Sequence, residues 1–248
     1  MKALFVAYQD TATRRWAPVG RLTREEGRYH FAYTRGAEVM PGFVPFGRMR
    51  DLKVEYVSEK LFPLFANRVL PKSRPEYSDY LNWLGLSEAS HDALEELART
   101  GGLRATDSLE LIPCPAPTEE ARYEVFFFAR GLRHLSKDCQ ERTLQLVHGD
   151  KLYLAQDLQN EYDSKALFVR TSDPVTLVGY VPRYYSNDFT DLINQVGSDS
   201  VSVTVERVNA AAPMQYRVLC KFSASWPKGF TPCETGEFET LAKKMDHT

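Results

Sequence analysis

Four carboxylates crowd a short stretch of the chain: Asp150, Asp157, Glu161 and Asp163. Clustered carboxylates with bound water are what Mg²⁺-dependent nucleases use. Such sites also want a lysine in an E-x-K arrangement on a strand, and this stretch has none. A metal-dependent nuclease or hydrolase is therefore the weaker reading. Cys114, Cys139, Cys220 and Cys233 include no C-x-x-C pair, and the five histidines are equally scattered. Zinc sites usually draw two ligands from one tight turn, so no metal and no cofactor is expected. No G-x-S-x-G elbow offers a nucleophile, and no Gly-rich loop offers a phosphate cradle. These residues point away from an enzyme.

The elements that position these residues follow from periodicity. Ala3 to Tyr8 is an apolar strand, too short for a signal-peptide core. Trp16 to Leu22 and Arg28 to Tyr33 read as the next two, the latter alternating Tyr29, Phe31 and Tyr33 with His30 and Ala32. Tyr77 to Leu84 predicts a short helix. Ser87 predicts the cap of another, running to about Thr100 before Gly101-Gly102. Leu109 to Ile112 closes this part, and Cys114-Pro-Ala-Pro117 is a stiff linker. Beyond it, Tyr123–Phe128, Thr143–Val147, Lys151–Leu154, Ala166–Val169, Val178–Val181, Val201–Val205 and Arg217–Phe222 predict close-spaced short strands. Asn187 to Val196 is the one clear helix among them, a pattern of a small barrel or sandwich.

The chain has 248 residues with 43% hydrophobic and 12% aromatic content, enough for a packed core and against global disorder. No apolar run approaches the roughly 18 residues of a membrane span, and the reading is cytoplasmic with free thiols. The net charge of −2 excludes a polycation that coats nucleic acid by charge alone. Residues 1–75, however, hold 14 basic and 7 acidic side chains, a surplus of +7 that points to an anionic partner. Residues 118–222 hold 12 basic and 14 acidic side chains, a near-neutral balance.

Asp157-Leu-Gln-Asn-Glu-Tyr-Asp-Ser-Lys-Ala-Leu-Phe-Val169, followed by Leu177-Val-Gly-Tyr-Val-Pro-Arg183, resembles the HIRAN domain. The likeness spans roughly Arg122 to Phe222 and takes in Gly131-Leu-Arg-His134 and His148-Gly149. It implies an OB-like barrel that grips single-stranded DNA, at its 3′-hydroxyl end, in DNA processing, repair or defence. By that resemblance Asn160, Tyr162 and Asp163 lie on the DNA-contacting loop, Arg133 and His134 at the end of the first strand, and Tyr180 and Arg183 near the backbone phosphate. His134 stands where the family usually has a tyrosine. The physical chemistry agrees: a carboxylate accepts from a terminal hydroxyl and repels a phosphate, while rings stack on bases without reading sequence. A plainer alternative stays open, in which Asn160 and Asp163 only cap a turn and Tyr162 is core.

Pro18-Val-Gly-Arg-Leu22, Tyr29-His-Phe-Ala-Tyr33 and Leu61 to Pro71 resemble the N-terminal subdomain of HipA-type kinases over about residues 1–113. The kinase lobes are absent, so this likeness implies a scaffold and an interaction surface. The expected class is α+β: an α+β domain at 1–113, an independently folding HIRAN barrel at 118–222, and an irregular tail at 223–248. Expected partners are single-stranded DNA and a helicase, nuclease or HipA-like kinase. The alternative function is a regulatory protein that binds such a kinase in trans.

Overall fold

The computed structural model describes residues 3–13, 15–161, 163–234 and 236–242. It is α+β, and the chain divides into two compact units that are interleaved in sequence. One contains residues 1–71, 92–116 and 231 onward; the other contains 72–91 and 117–230. Among the described residues no helix is long and apolar enough to cross a membrane.

In the first unit β1 (Ala3–Gln9), β2 (Trp16–Glu25) and β3 (Arg28–Tyr33) form an antiparallel meander, followed by α1 (Arg35–Val39), β4 (Tyr56–Ser58) and α2 (Pro63–Ala66). After an excursion through α3 (Tyr77–Trp83), the chain returns as α4 (Ala93–Thr100) and β5 (Leu109–Cys114). The sheet order is β4-β3-β2-β1-β5. The expected alternation on β3 holds, with Phe31 and Tyr33 wholly buried among Leu4, Val19, Leu22 and Phe65. Burying Tyr33 is tolerated because its hydroxyl donates to Met49 O at 2.7 Å and accepts from Phe46 N–H at 2.6 Å. Desolvation pushes this phenol up to about 12.

Ser87 does not cap the long helix. It accepts from Ala89 N–H and holds only a 3₁₀ turn at Glu88–Ser90. Asp92 caps α4 instead, taking Leu94 N–H at 2.7 Å, and Gly101 ends the helix in the left-handed region. The C-terminal segment docks on this unit: Leu241 N–H donates to Tyr33 O, and Phe238 packs edge-on against Phe5.

In the second unit β6 (Arg122–Phe128) leads to α5 (Lys137–Thr143), then β7 (Lys151–Gln156), β8 (Leu167–Arg170) and β9 (Leu177–Tyr180). The helix α6 (Arg183–Val196) and strands β10 (Val201–Val208) and β11 (Val218–Ser225) follow. The six strands run in the order β6-β11-β10-β7-β8-β9, a curled antiparallel sheet consistent with an OB-like fold. The expected strand at Thr143–Val147 is absent. Ser136 caps α5 through Cys139 N–H, an Asp138–Arg142 pair braces it at 3.2 Å, and the residues after Thr143 turn. The later helix begins at Arg183, four residues ahead of the expected start, because Pro182 is preset for a helix entry.

One face of α6 supplies Tyr185, Phe189 and Leu192 to the core. Phe189 stacks on Phe222 at 3.7 Å between centroids, and Tyr123 packs edge-on against both. Such ring pairs add about 0.5–1.5 kcal/mol each beyond area burial. Cys220 sits in this core, its thiol pushed up to about 12 by burial and so inert. The excursion helix α3 packs here too, through Asn209 Nδ2 on Trp83 O at 2.9 Å and an edge contact between Tyr80 and Tyr216.

Asp188 on α6 is mostly withdrawn from water, and desolvation raises its carboxyl to about 6 although the Tyr123 hydroxyl donates to it at 2.9 Å. A folded-state value above the ordinary 3.8 means that unfolding releases the proton at lower pH. Stability attributable to this group is therefore greatest below about pH 4 and declines until about pH 6. Relative to Asp188→Asn, the wild type is expected to lose on the order of 2–3 kcal/mol between pH 4 and pH 7. Urea melts of both proteins across that range check it, and parallel profiles would refute it.

Candidate nucleic-acid interface

The β7–β8 loop is built from side chains that hydrogen-bond their own backbone. Asp157 N–H donates to Ala166 O at 2.9 Å and closes the loop base. Asn160 Oδ1 accepts Asp163 N–H at 2.9 Å, and Asp163 Oδ1 accepts Lys165 N–H at 3.0 Å. These are the turn-forming bonds that Asn and Asp make readily. The capping geometry is thus present at both residues.

The loop is also joined to β9 and α6. Tyr180, the last residue of β9, donates its hydroxyl to Asp157 Oδ2 at 2.9 Å, and Asn160 Nδ2 donates to the same oxygen at 3.2 Å. These two bonds, the tyrosine's first, hold the Asp157 carboxyl below its ordinary value and so ionised at neutral pH. The same bond raises the Tyr180 phenol. Arg183, the first residue of α6 and exposed, places Nε 3.6 Å from Asp163 Oδ2. The Asp163 oxygens thus face a backbone amide on one side and a cation on the other.

Backbone geometry aims Tyr180. It exchanges two 2.8 Å hydrogen bonds with Arg130, and Gly179 before it takes φ +145°. A Cβ on Gly179 would fall 2.7 Å from Arg130 O, so only glycine fits between the strand and residue 130. Beyond Arg130, Gly131 approaches the Tyr180 ring, and the 3₁₀ turn Leu132–His134 presents Arg133 and His134 to solvent. Arg133 Nε donates to His134 Nε2 at 2.9 Å, which requires that nitrogen to be unprotonated.

The structure therefore brings Asn160, Asp163, Tyr180 and Arg183 into one cluster, with the Arg133–His134 pair on the adjoining turn. Tyr162 lies outside the described residues. Asp157 is the member that sequence reading did not single out as a binding residue; its signal is the spacing Asp157-x-x-Asn160-x-x-Asp163. Asp150 is spent in its own turn, accepting Val147 N–H at 2.9 Å. Among the described residues no three His, Cys, Asp or Glu converge to hold a metal ion.

Residues 123–227 match the family model of the HIRAN domain. This part of the chain is a HIRAN domain. Two crystal structures are similar to it: a protein from Lactobacillus plantarum, at 19% identity and TM-score 0.32, and the HIRAN domain of human HLTF, at 13% identity and TM-score 0.30. Each aligns with 42% of this chain, covering 96% of the first structure and 74% of the second. No curated protein matches the chain. The match begins at Tyr123, and no comparison supports the expected likeness of 1–113 to the HipA-type subdomain.

Two outcomes follow within the HIRAN domain. Tyr180→Phe removes the strongest donor to Asp157, so the Asp157 midpoint in a carboxyl ¹³C NMR titration should climb toward 3.8. An unmoved midpoint would show that Tyr180 does not govern that charge. Gly179→Ala should cost about 1–3 kcal/mol through backbone strain alone, with the Arg130 clash adding to it. Thermal melts read that loss, and an unchanged Tm would mean that the backbone here gives way freely.

Proposed function

We propose that this chain is a non-catalytic protein that binds single-stranded DNA at a free 3′-hydroxyl end. The carrying observation is the side-by-side placement of a carboxylate and an exposed cation, Asp163 and Arg183, at 3.6 Å. A terminal nucleotide offers a hydroxyl donor next to its anionic phosphodiester, the complement of that pair. In this reading Asp163 accepts from the 3′-hydroxyl, Arg183 and Arg133 meet phosphate oxygens, and Tyr162 and His134 stack on bases. Tyr180 and Asn160 hold the loop through Asp157 and present their edges to the terminal sugar. The HIRAN match supports the assignment by family, and the near-neutral domain suits recognition of an end over coating of a strand.

The biological setting that fits is DNA processing, repair or defence, with a helicase, nuclease or HipA-like kinase as protein partner. The basic surplus of residues 1–75 is the chain's resource for an anionic surface on such a partner or on DNA.

Asp163→Asn tests the site, because asparagine keeps an oxygen for Lys165 N–H while removing the charge. A hydrogen bond to an ionised group contributes about 1.5–3 kcal/mol, so affinity for a 3′-hydroxyl strand should fall roughly tenfold or more. Affinity for a 3′-phosphate strand should hold or rise, since the repulsion is gone, and the melting temperature should stay put. Fluorescence anisotropy with both oligonucleotides reads this. A wild-type protein that binds the two ends equally would overturn the proposal.

A further inference from the structure

The outward face of the β7–β8–β9 ribbon carries Lys151 and Tyr153 on β7, Phe168 and Arg170 on β8, and Tyr180 on β9. The inward residues Leu152, Leu167, Val169 and Val178 belong to the core. Register places these outward side chains on two adjacent cross-strand rungs: Tyr153 opposes Arg170, and Phe168 opposes Tyr180, with the last two rings 6.5 Å apart and edge-on. Both cations lie over the Tyr153 ring, Lys151 Nζ at 5.2 Å and Arg170 Cζ at 5.3 Å.

What distinguishes this face is its unbalanced charge. At the other end of the same sheet, Glu124 is faced by Lys221 across the strands at 3.1 Å and by Arg122 on its own strand at 4.0 Å, the charge balance expected of a solvated sheet. Among the described residues neither Lys151 nor Arg170 has a carboxylate partner; Arg170 donates only to Thr171 O. The row starts at Tyr180, which belongs to the cluster at the loop.

We propose that this row is a track for single-stranded DNA upstream of the terminal nucleotide, an inference that rests on the end-binding reading above. Bases stack on Phe168 and Tyr153 while Arg170 and Lys151 swing from the ring to backbone phosphates. Two strand spacings separate β9 from β7, about 10 Å, room for on the order of two to three nucleotides at ~3.4 Å rise each. Aromatic rings interleaved with two cations that no carboxylate pairs suit a polyanion with stackable bases.

The test is competition anisotropy on the full chain with single strands of two, four and eight nucleotides, each ending in a 3′-hydroxyl or a 3′-phosphate. Wild type should gain about tenfold in affinity from two to four nucleotides. Tyr153→Thr, which keeps strand propensity, should abolish that gain and bind the dinucleotide as wild type does, which also reports an intact fold. The pair Lys151→Gln with Arg170→Gln should shrink the slope of log affinity against log salt for the eight-mer by about 1.4. A wild type without length-dependent gain, or variants that retain it, overturns the track and leaves the end site standing. Length-dependent binding that ignores the 3′ group, yet is lost in the variants, overturns the end site and leaves the track. No binding of any strand overturns both.

Discussion

The hydrogen bond from the Tyr180 hydroxyl to Asp157 Oδ2 joins three pieces of chain that are far apart in sequence. It anchors the β7–β8 loop to the final strand of the sheet, and through Tyr180 to the Arg130 backbone and the turn after β6. Asn160 leans on the same carboxylate and positions the Asp163 amide, so the geometry of Asp163 depends on a bond it does not make. That bond needs an ionised Asp157 and a protonated Tyr180, and it drives each group toward that state. A loop of short polar side chains thereby becomes a defined surface without apolar packing of its own.

Rigidity behind that surface comes from α6. Its first residue, Arg183, faces the loop, while Tyr185, Phe189 and Leu192 on the same helix are sunk in the aromatic core. The stack of Tyr185, Phe189 and Phe222 sets the helix's rotation and so the direction in which Arg183 leaves it. Asp188 is the cost of that arrangement, a carboxylate drawn under the surface because the helix face around it is needed for packing.

Where a single local pattern dominated, the fold was legible: the alternation of Tyr29, Phe31 and Tyr33, the closing strand at Leu109, the short helix at Tyr77. Legibility failed where two local signals competed. Ser87 and Asp92 are both good caps, and the tertiary packing of Leu94 and Leu97 selected the second. Thr143 to Val147 has strand-like composition, but the Ser136 cap and the Asp138–Arg142 pair spent Thr143 on a helix. Most of the candidate site could be named because its residues share one motif and the strand after it. Asp157 escaped as a binding residue because its role arises from Tyr180, 23 positions away, a distance that no periodicity reports. The outward row on β7 and β8 escaped for a related reason, since only register reveals that Tyr153 opposes Arg170.

The interleaving of the two units imposes an order on biosynthesis. The chain crosses between them at 71/72, 91/92, 116/117 and 230/231. As the polypeptide emerges from the ribosome, the unit that contains the HIRAN domain has all its residues once Phe230 is out. The first unit starts earlier yet waits longer, because Phe238 and Leu241, which pack on Phe5 and pair with Tyr33, are made after Phe230. The unit that begins first is thus completed second, and the unit that contains the HIRAN domain is whole while its neighbour is still unfinished.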